Sequence, residues 1–114
     1  MSDISVLPGE LNIECYKGDT LYKLLTLTDG NGSPLDLSTA TVTMQIRRKA
    51  GEDILLSLAE GSGLTVSSNT VLIDSIIDLD KGNYKYDIQF VYASGLVRTY
   101  VAGSFTVPDD ITRP

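Results

Sequence analysis

Tyr84-Lys85-Tyr86-Asp87-Ile88-Gln89-Phe90-Val91-Tyr92 is the stretch that decides the fold. Tyr84, Tyr86, Ile88, Phe90 and Tyr92 alternate with Lys85, Asp87 and Gln89. A helix would scatter these aromatics around its circumference, whereas a strand collects them on one face. The pattern therefore predicts a strand with one buried side.

The same period of two extends outward in both directions. Thr41–Arg47 places Val42, Met44 and Ile46 inward, with threonine, glutamine and arginine outward. After the Ala93-Ser94-Gly95 turn, Val97, Val101, Phe105 and Val107 share a parity over Leu96–Val107, with Thr99 and Gly103 between them. The short connection predicts an antiparallel hairpin, and Gly103 a bulge or bend in an edge strand. Shorter strands are expected at Leu11–Tyr16, Leu21–Thr28, Ile54–Leu58, Leu64–Val66 and Thr70–Asp74, separated by glycine-, asparagine- and aspartate-rich turns. Ser75–Leu79 leaves room for one short helical turn. No stretch is long enough for a crossover helix, which points to an antiparallel sandwich or barrel.

Tyr84 narrows the choice. It opens its strand directly after the Gly82 turn, two residues before the inward-facing Tyr86. That is the placement of the tyrosine-corner residue in immunoglobulin-like sandwiches, with Tyr86 standing where an antibody domain carries its second cysteine. The expectation is an all-β, antiparallel, immunoglobulin-like sandwich of about seven to nine strands. Residues 11–107 form the sandwich, residues 1–10 an extended N-terminal arm and residues 108–114 an extended C-terminal tail. Gly82, Tyr84, Tyr86 and Phe105 are its structural residues. Tyr22, Tyr100, Pro108 and Ile111 are the candidates for interaction with other molecules.

Composition limits function. The 114 residues carry a formal charge of −6, and a surplus of acid repels phosphate backbones and anionic membranes. The one basic cluster, Arg47-Arg48-Lys49, reads as a solvated strand end. Cys15 is the single cysteine, so neither an internal disulfide nor a cysteine metal cluster is available. It alternates into the core as a small hydrophobe. The N-terminus lacks the basic and apolar regions of a signal peptide, and no apolar run approaches the length of a membrane span. A soluble protein made in the cytoplasm is expected.

Catalytic chemistry finds little to work with. The sequence has no histidine, which removes the commonest general base and metal ligand. Most acidic residues, such as Asp19, Asp29, Asp53 and Asp80, sit in turns that aspartate favours. Glu60-Gly61-Ser62-Gly63 lacks the lysine and the helix of a phosphate loop. Asp29-Gly30-Asn31-Gly32-Ser33 opens like a calcium loop, but the register then puts Pro34 where glycine is needed and Ala40 where the bidentate glutamate is needed. A β-turn accounts for the same residues. No enzyme activity, cofactor or metal is expected. The tyrosines leave two readings open: sheet packing, or an exposed platform for sugar or peptide that includes Tyr22 and Tyr100.

Three segments together resemble a known group. They are Tyr16-Lys17-Gly18-Asp19-Thr20; Asp29–Arg47, with Pro34-Leu35-Asp36-Leu37 and Val42-Thr43-Met44-Gln45-Ile46-Arg47; and Gly82-Asn83-Tyr84-Lys85-Tyr86-Asp87-Ile88-Gln89 followed by Gly103-Ser104-Phe105-Thr106-Val107. This layout resembles small proteins of tailed bacteriophages and prophages, and is similar to the immunoglobulin-like N-terminal domains of phage baseplate and tail-fibre attachment proteins. The resemblance spans about Tyr16 to Val107. It implies a virion component, made in the host cytoplasm, that contacts its own copies and neighbouring tail or capsid proteins. It carries over no catalytic residue and implies no nucleic acid, membrane or small-molecule partner. Those phage domains belong to longer proteins, so for this chain the resemblance favours an adaptor, collar, baseplate or decoration role over receptor binding.

Overall fold

The computed structural model describes residues 2–6, 9–28, 31–49 and 51–108. Over these residues the chain forms strands and no helix. The strands are β1 (Ser2–Val6), β2 (Gly9–Glu10), β3 (Ile13–Glu14), β4 (Thr20–Leu27), β5 (Ala40–Arg47), β6 (Ile54–Glu60), β7 (Gly63–Ser67), β8 (Thr70–Ile76), β9 (Gly82–Tyr92) and β10 (Val97–Val107). They hydrogen-bond along one path, β1-β4-β8-β7-β6-β5-β9-β10-β2, with β3 also on β10.

The sheet is mixed, which corrects the wholly antiparallel expectation. β4–β8, β7–β8, β5–β6, β5–β9 and β9–β10 are antiparallel. β1–β4, β2–β10, β3–β10 and β6–β7 are parallel. β6 and β7 are joined by Gly61-Ser62 alone, and their two parallel pairs lie at that connection. A long parallel ladder such as β1–β4 instead needs a crossover. The chain between β1 and β4 supplies one by lying along β10 as β2 and β3. The segment read as an N-terminal arm is thus extended, and its residues 2–6 and 9–10 pair with strands of the same chain.

Alternation does the rest. Leu21, Leu25 and Leu27 of β4, Val42, Met44 and Ile46 of β5, Val71 and Ile73 of β8, and Tyr84, Tyr86, Ile88 and Phe90 of β9 all enter one core. A continuous sheet whose strands share a core must curl over it, and the mixed sheet curls as a half-barrel. The ladder is short at the β6–β7 corner, where only Ala59↔Gly63 and Glu60↔Leu64 pair. Gly63 occupies the corner with φ +98°, and a Cβ there would lie 2.8 Å from Leu58 Cδ2. Glycine meets both demands at once.

Two further expectations are corrected. Ser75 and Ile76 continue the ladder on β4, and Ile77 and Leu79 are both buried with Asp78 exposed between them, so Ser75–Leu79 follows a period of two and forms no helical turn. In β10 the irregularity falls between Thr99 and Val101, at Tyr100 rather than Gly103. That extra residue reverses the parity: Val101, Phe105 and Val107 are buried, but Val97 is 47% exposed. Gly103 has another purpose. A Cβ on it would sit 2.3 Å from the Leu11 carbonyl oxygen, so its bare backbone lets the β2–β3 segment close on β10. β10 is therefore covered on both sides from Val101 to Thr106, and Gly103 does not lie on an edge.

Candidate functional site

The predicted structural residues gather at the base of the β9–β10 hairpin. Tyr84 is buried, and its hydroxyl donates to the Asp80 carbonyl at 2.5 Å, tying the start of β9 to the loop four residues upstream. Such a bond is what defines a tyrosine corner. Arg48 lies over the Tyr84 ring, 4.7 Å from its centroid, and its guanidinium fills the space that a side chain at Gly82 would need. Tyr86 donates to the Leu11 carbonyl at 2.6 Å, and burial raises its pKa strongly, keeping the hydroxyl a donor. Phe105 meets the Tyr86 ring edge-on at 6.4 Å. These four positions thus lie together at one end of the hairpin.

The interaction candidates do not come together. Tyr22 is 40% exposed on the outer face of β4, opposite Asp74. Tyr100, at the β10 bulge, packs on Phe90 at 5.0 Å, and its hydroxyl lies 3.0 Å from that of Tyr92. Five strands of the sheet path separate β4 from β10, so the two tyrosines share no platform. Pro108 follows β10 directly and is half-buried, while Ile111 lies outside the described residues.

A site missed in the sequence crosses the outer face of β5, β9 and β10. It is a groove of about 390 Å³ lined by Gln45, Arg47, Lys49, Lys85, Asp87 and Thr99, among others. Register builds it: Arg47 stands opposite Lys85, and Asp87 lies between Gln45 and Ala102. Directly opposed like charges destabilise a sheet by a few tenths of a kcal/mol or more, roughly. Arg47 is steadied by the Gln45 Oε1 at 2.9 Å and the Glu52 carbonyl at 3.1 Å, and neither neutralises it. Lys49 and Lys85 form no ion pair among the described residues. Strand alternation was the available signal, since it turns Arg47 toward the groove and Arg48 toward Tyr84. The pairing with Lys85 is a matter of register that no local pattern reveals.

Other chemically active groups are quiet. Cys15 is buried, and desolvation first, then Asp19, raises its pKa, which works against a thiolate. Lys17 holds Asp80 at 2.8 Å and keeps that carboxyl below its usual range. Among the described residues no cluster of cysteine, aspartate and glutamate could hold a metal, and no helix is long and apolar enough to cross a membrane.

No family model matches the chain, and no curated protein does.

Proposed function

We propose that this chain is a structural subunit of a bacteriophage virion, a tail, baseplate or fibre-adaptor component that joins its neighbours through sheet edges and termini. The resemblance described above supplies the virion context. The immunoglobulin-like sandwich belongs to the same proposal: the sheet path divides into β1-β4-β8-β7 and β6-β5-β9-β10-β2 with a corner between, and the Tyr84–Asp80 bond stands where such a sandwich carries its tyrosine corner.

The observation that carries assembly is the free edge of β6. Ile54–Leu58 pairs with β5 on one side, and its other side has no ladder partner among the described residues until Ala59. Ile54 and Leu55 are both exposed along it. An unpaired edge offers main-chain donors and acceptors to a neighbour's strand, with apolar side chains to set its grip.

Mass spectrometry of phage particles purified from the host tests the role. The chain should be present at a fixed stoichiometry, and Leu55→Lys, which places a charge on the free edge, should reduce its incorporation. A chain abundant in the lysate and absent from particles overturns the proposal.

A further inference from the structure

The two outer faces of the curled sheet carry complementary charge, and each exposes apolar side chains. On the β5–β9–β10 face, Arg47, Lys49 and Lys85 line the groove against one lining acid, Asp87, with Glu10 beside it on β2. Val91 and Val97 pair across the hairpin with 37% and 47% exposure. On the β4–β8 face, Tyr22 stands opposite Asp74 and Thr20 opposite Ile76, which is 63% exposed. Leu24 and Leu72, also paired, are half-buried on that same face. Asp19 and Asp78 are exposed beside its end, Asp78 with Lys17 at 4.0 Å, and Asp74 has no ion pair among the described residues. Apolar side chains grouped on an outward face take no part in the core, and such grouping is a feature of surfaces that meet another molecule.

We propose that a second copy of this chain is that molecule, with the acidic β4–β8 face of one copy seated on the basic β5–β9–β10 face of the next. Charge decides the occupant. Two basic grooves repel each other, so the contact is not a symmetric pairing of like faces. The chain as a whole carries −6, which disfavours a long polyanion beyond the groove itself. A sugar platform needs an exposed ring, and the one aromatic residue lining the groove, Tyr86, is 4% exposed. The complementary surface is present on every copy, with an acid among exposed apolar side chains. Because the two faces are built from different strands, the contact is heterologous, head-to-tail, and leaves each copy able to take a further neighbour.

The pairing deepens the assembly proposed above and fails separately from it: absence from particles removes the virion role, whereas only the behaviour of the purified chain bears on the faces. Sedimentation of the purified chain at about 20 mM salt, where surface charges are weakly screened, should show concentration-dependent self-association that added salt reverses. Lys85→Glu and Asp74→Lys should each weaken it about tenfold or more, because each sets like charges face to face. Mixing the two variants should restore association, since every junction in an alternating assembly then joins opposite charges. Ile76→Ser should weaken association without changing its salt dependence, and unchanged circular dichroism separates these effects from misfolding. A wild-type chain that stays monomeric to about 1 mM overturns the pairing. So do variants that associate as well as wild type, or a mixture that stays apart. A monomer that binds a different acidic protein through Lys85 overturns it as well.

Discussion

The base and the tip of the β9–β10 hairpin share one alternating pattern and end up in different surroundings. At the base, Tyr84, Tyr86, Phe105 and Val107 are buried, and two tyrosine hydroxyls reach main-chain carbonyls of other segments. At the tip, Val91, Leu96 and Val97 stand in solvent. Tyr100 divides the two regions. Its bulge adds one residue to β10, so a side chain whose parity matches Phe105 in sequence turns outward at Val97. The difference teaches that alternation reports burial only within an unbroken ladder. One inserted residue inverts every position on its far side.

Substitution at the two ends gives the largest contrast. Phe105→Ala removes a fully buried ring and leaves a cavity beside Tyr86, and should destabilise by about 3–5 kcal/mol. Val97→Ala, at the same sequence parity, should stay within about 0.5 kcal/mol of wild type, as exposed substitutions do. Urea titrations of both variants measure the contrast. Equal losses would mean that the bulge is misplaced and that Val97 faces the core.

The contrast also separates what local pattern reveals from what it hides. Tyr84 to Tyr92 was legible because β9 is central, with β5 and β10 laddered along both sides. Its inward set therefore had to be apolar throughout. Tyr84 itself was legible because a glycine turn precedes it. Three features were hidden, for one common reason: each depends on a partner far away in the chain. They are the parallel seating of β1 on β4, the closure of Leu11 over Gly103, and the meeting of Arg47 with Lys85. Nothing local distinguishes a basic strand end in solvent from one that lines a groove. The register does, and register is set by the whole ladder.

Gly103→Ala sharpens the comparison at the base. The added methyl would lie 2.3 Å from a main-chain oxygen of Leu11, which cannot rotate aside as a side chain can. The β2–β3 segment must then lift, stretching the Leu11 N–H bond to the Ala102 carbonyl and the Tyr86–Leu11 bond. A loss of about 1–3 kcal/mol is expected, typical of overpacking. Amide exchange should quicken at Leu11 and Cys15, which donate to β10, while the amides of β4 and β8 keep their protection. Uniform loss of protection across the sheet would show that the segment is no separate layer on β10.

The smallest effect belongs to the bulge. Burial first, then the hydrogen bond to Tyr100, pushes the Tyr92 hydroxyl up to about 12 from its ordinary 10.0. The folded state therefore keeps this proton at a pH where the unfolded chain has lost it. Stability from the pair is complete below about pH 10 and declines as pH rises toward 12, because the unfolded state binds fewer protons across that window. The hydroxyls are partly open to solvent, so screening should hold the effect below about 1 kcal/mol. Tyr92→Phe should flatten the alkaline fall in melting temperature between pH 10 and 12 relative to wild type. Tyr86, whose pKa is raised further by deeper burial, should continue to contribute to that fall in the variant. An alkaline profile identical to wild type in Tyr92→Phe would mean that the hydroxyl pair at the bulge does not form in solution, and that Tyr100 is held by its packing on Phe90 alone.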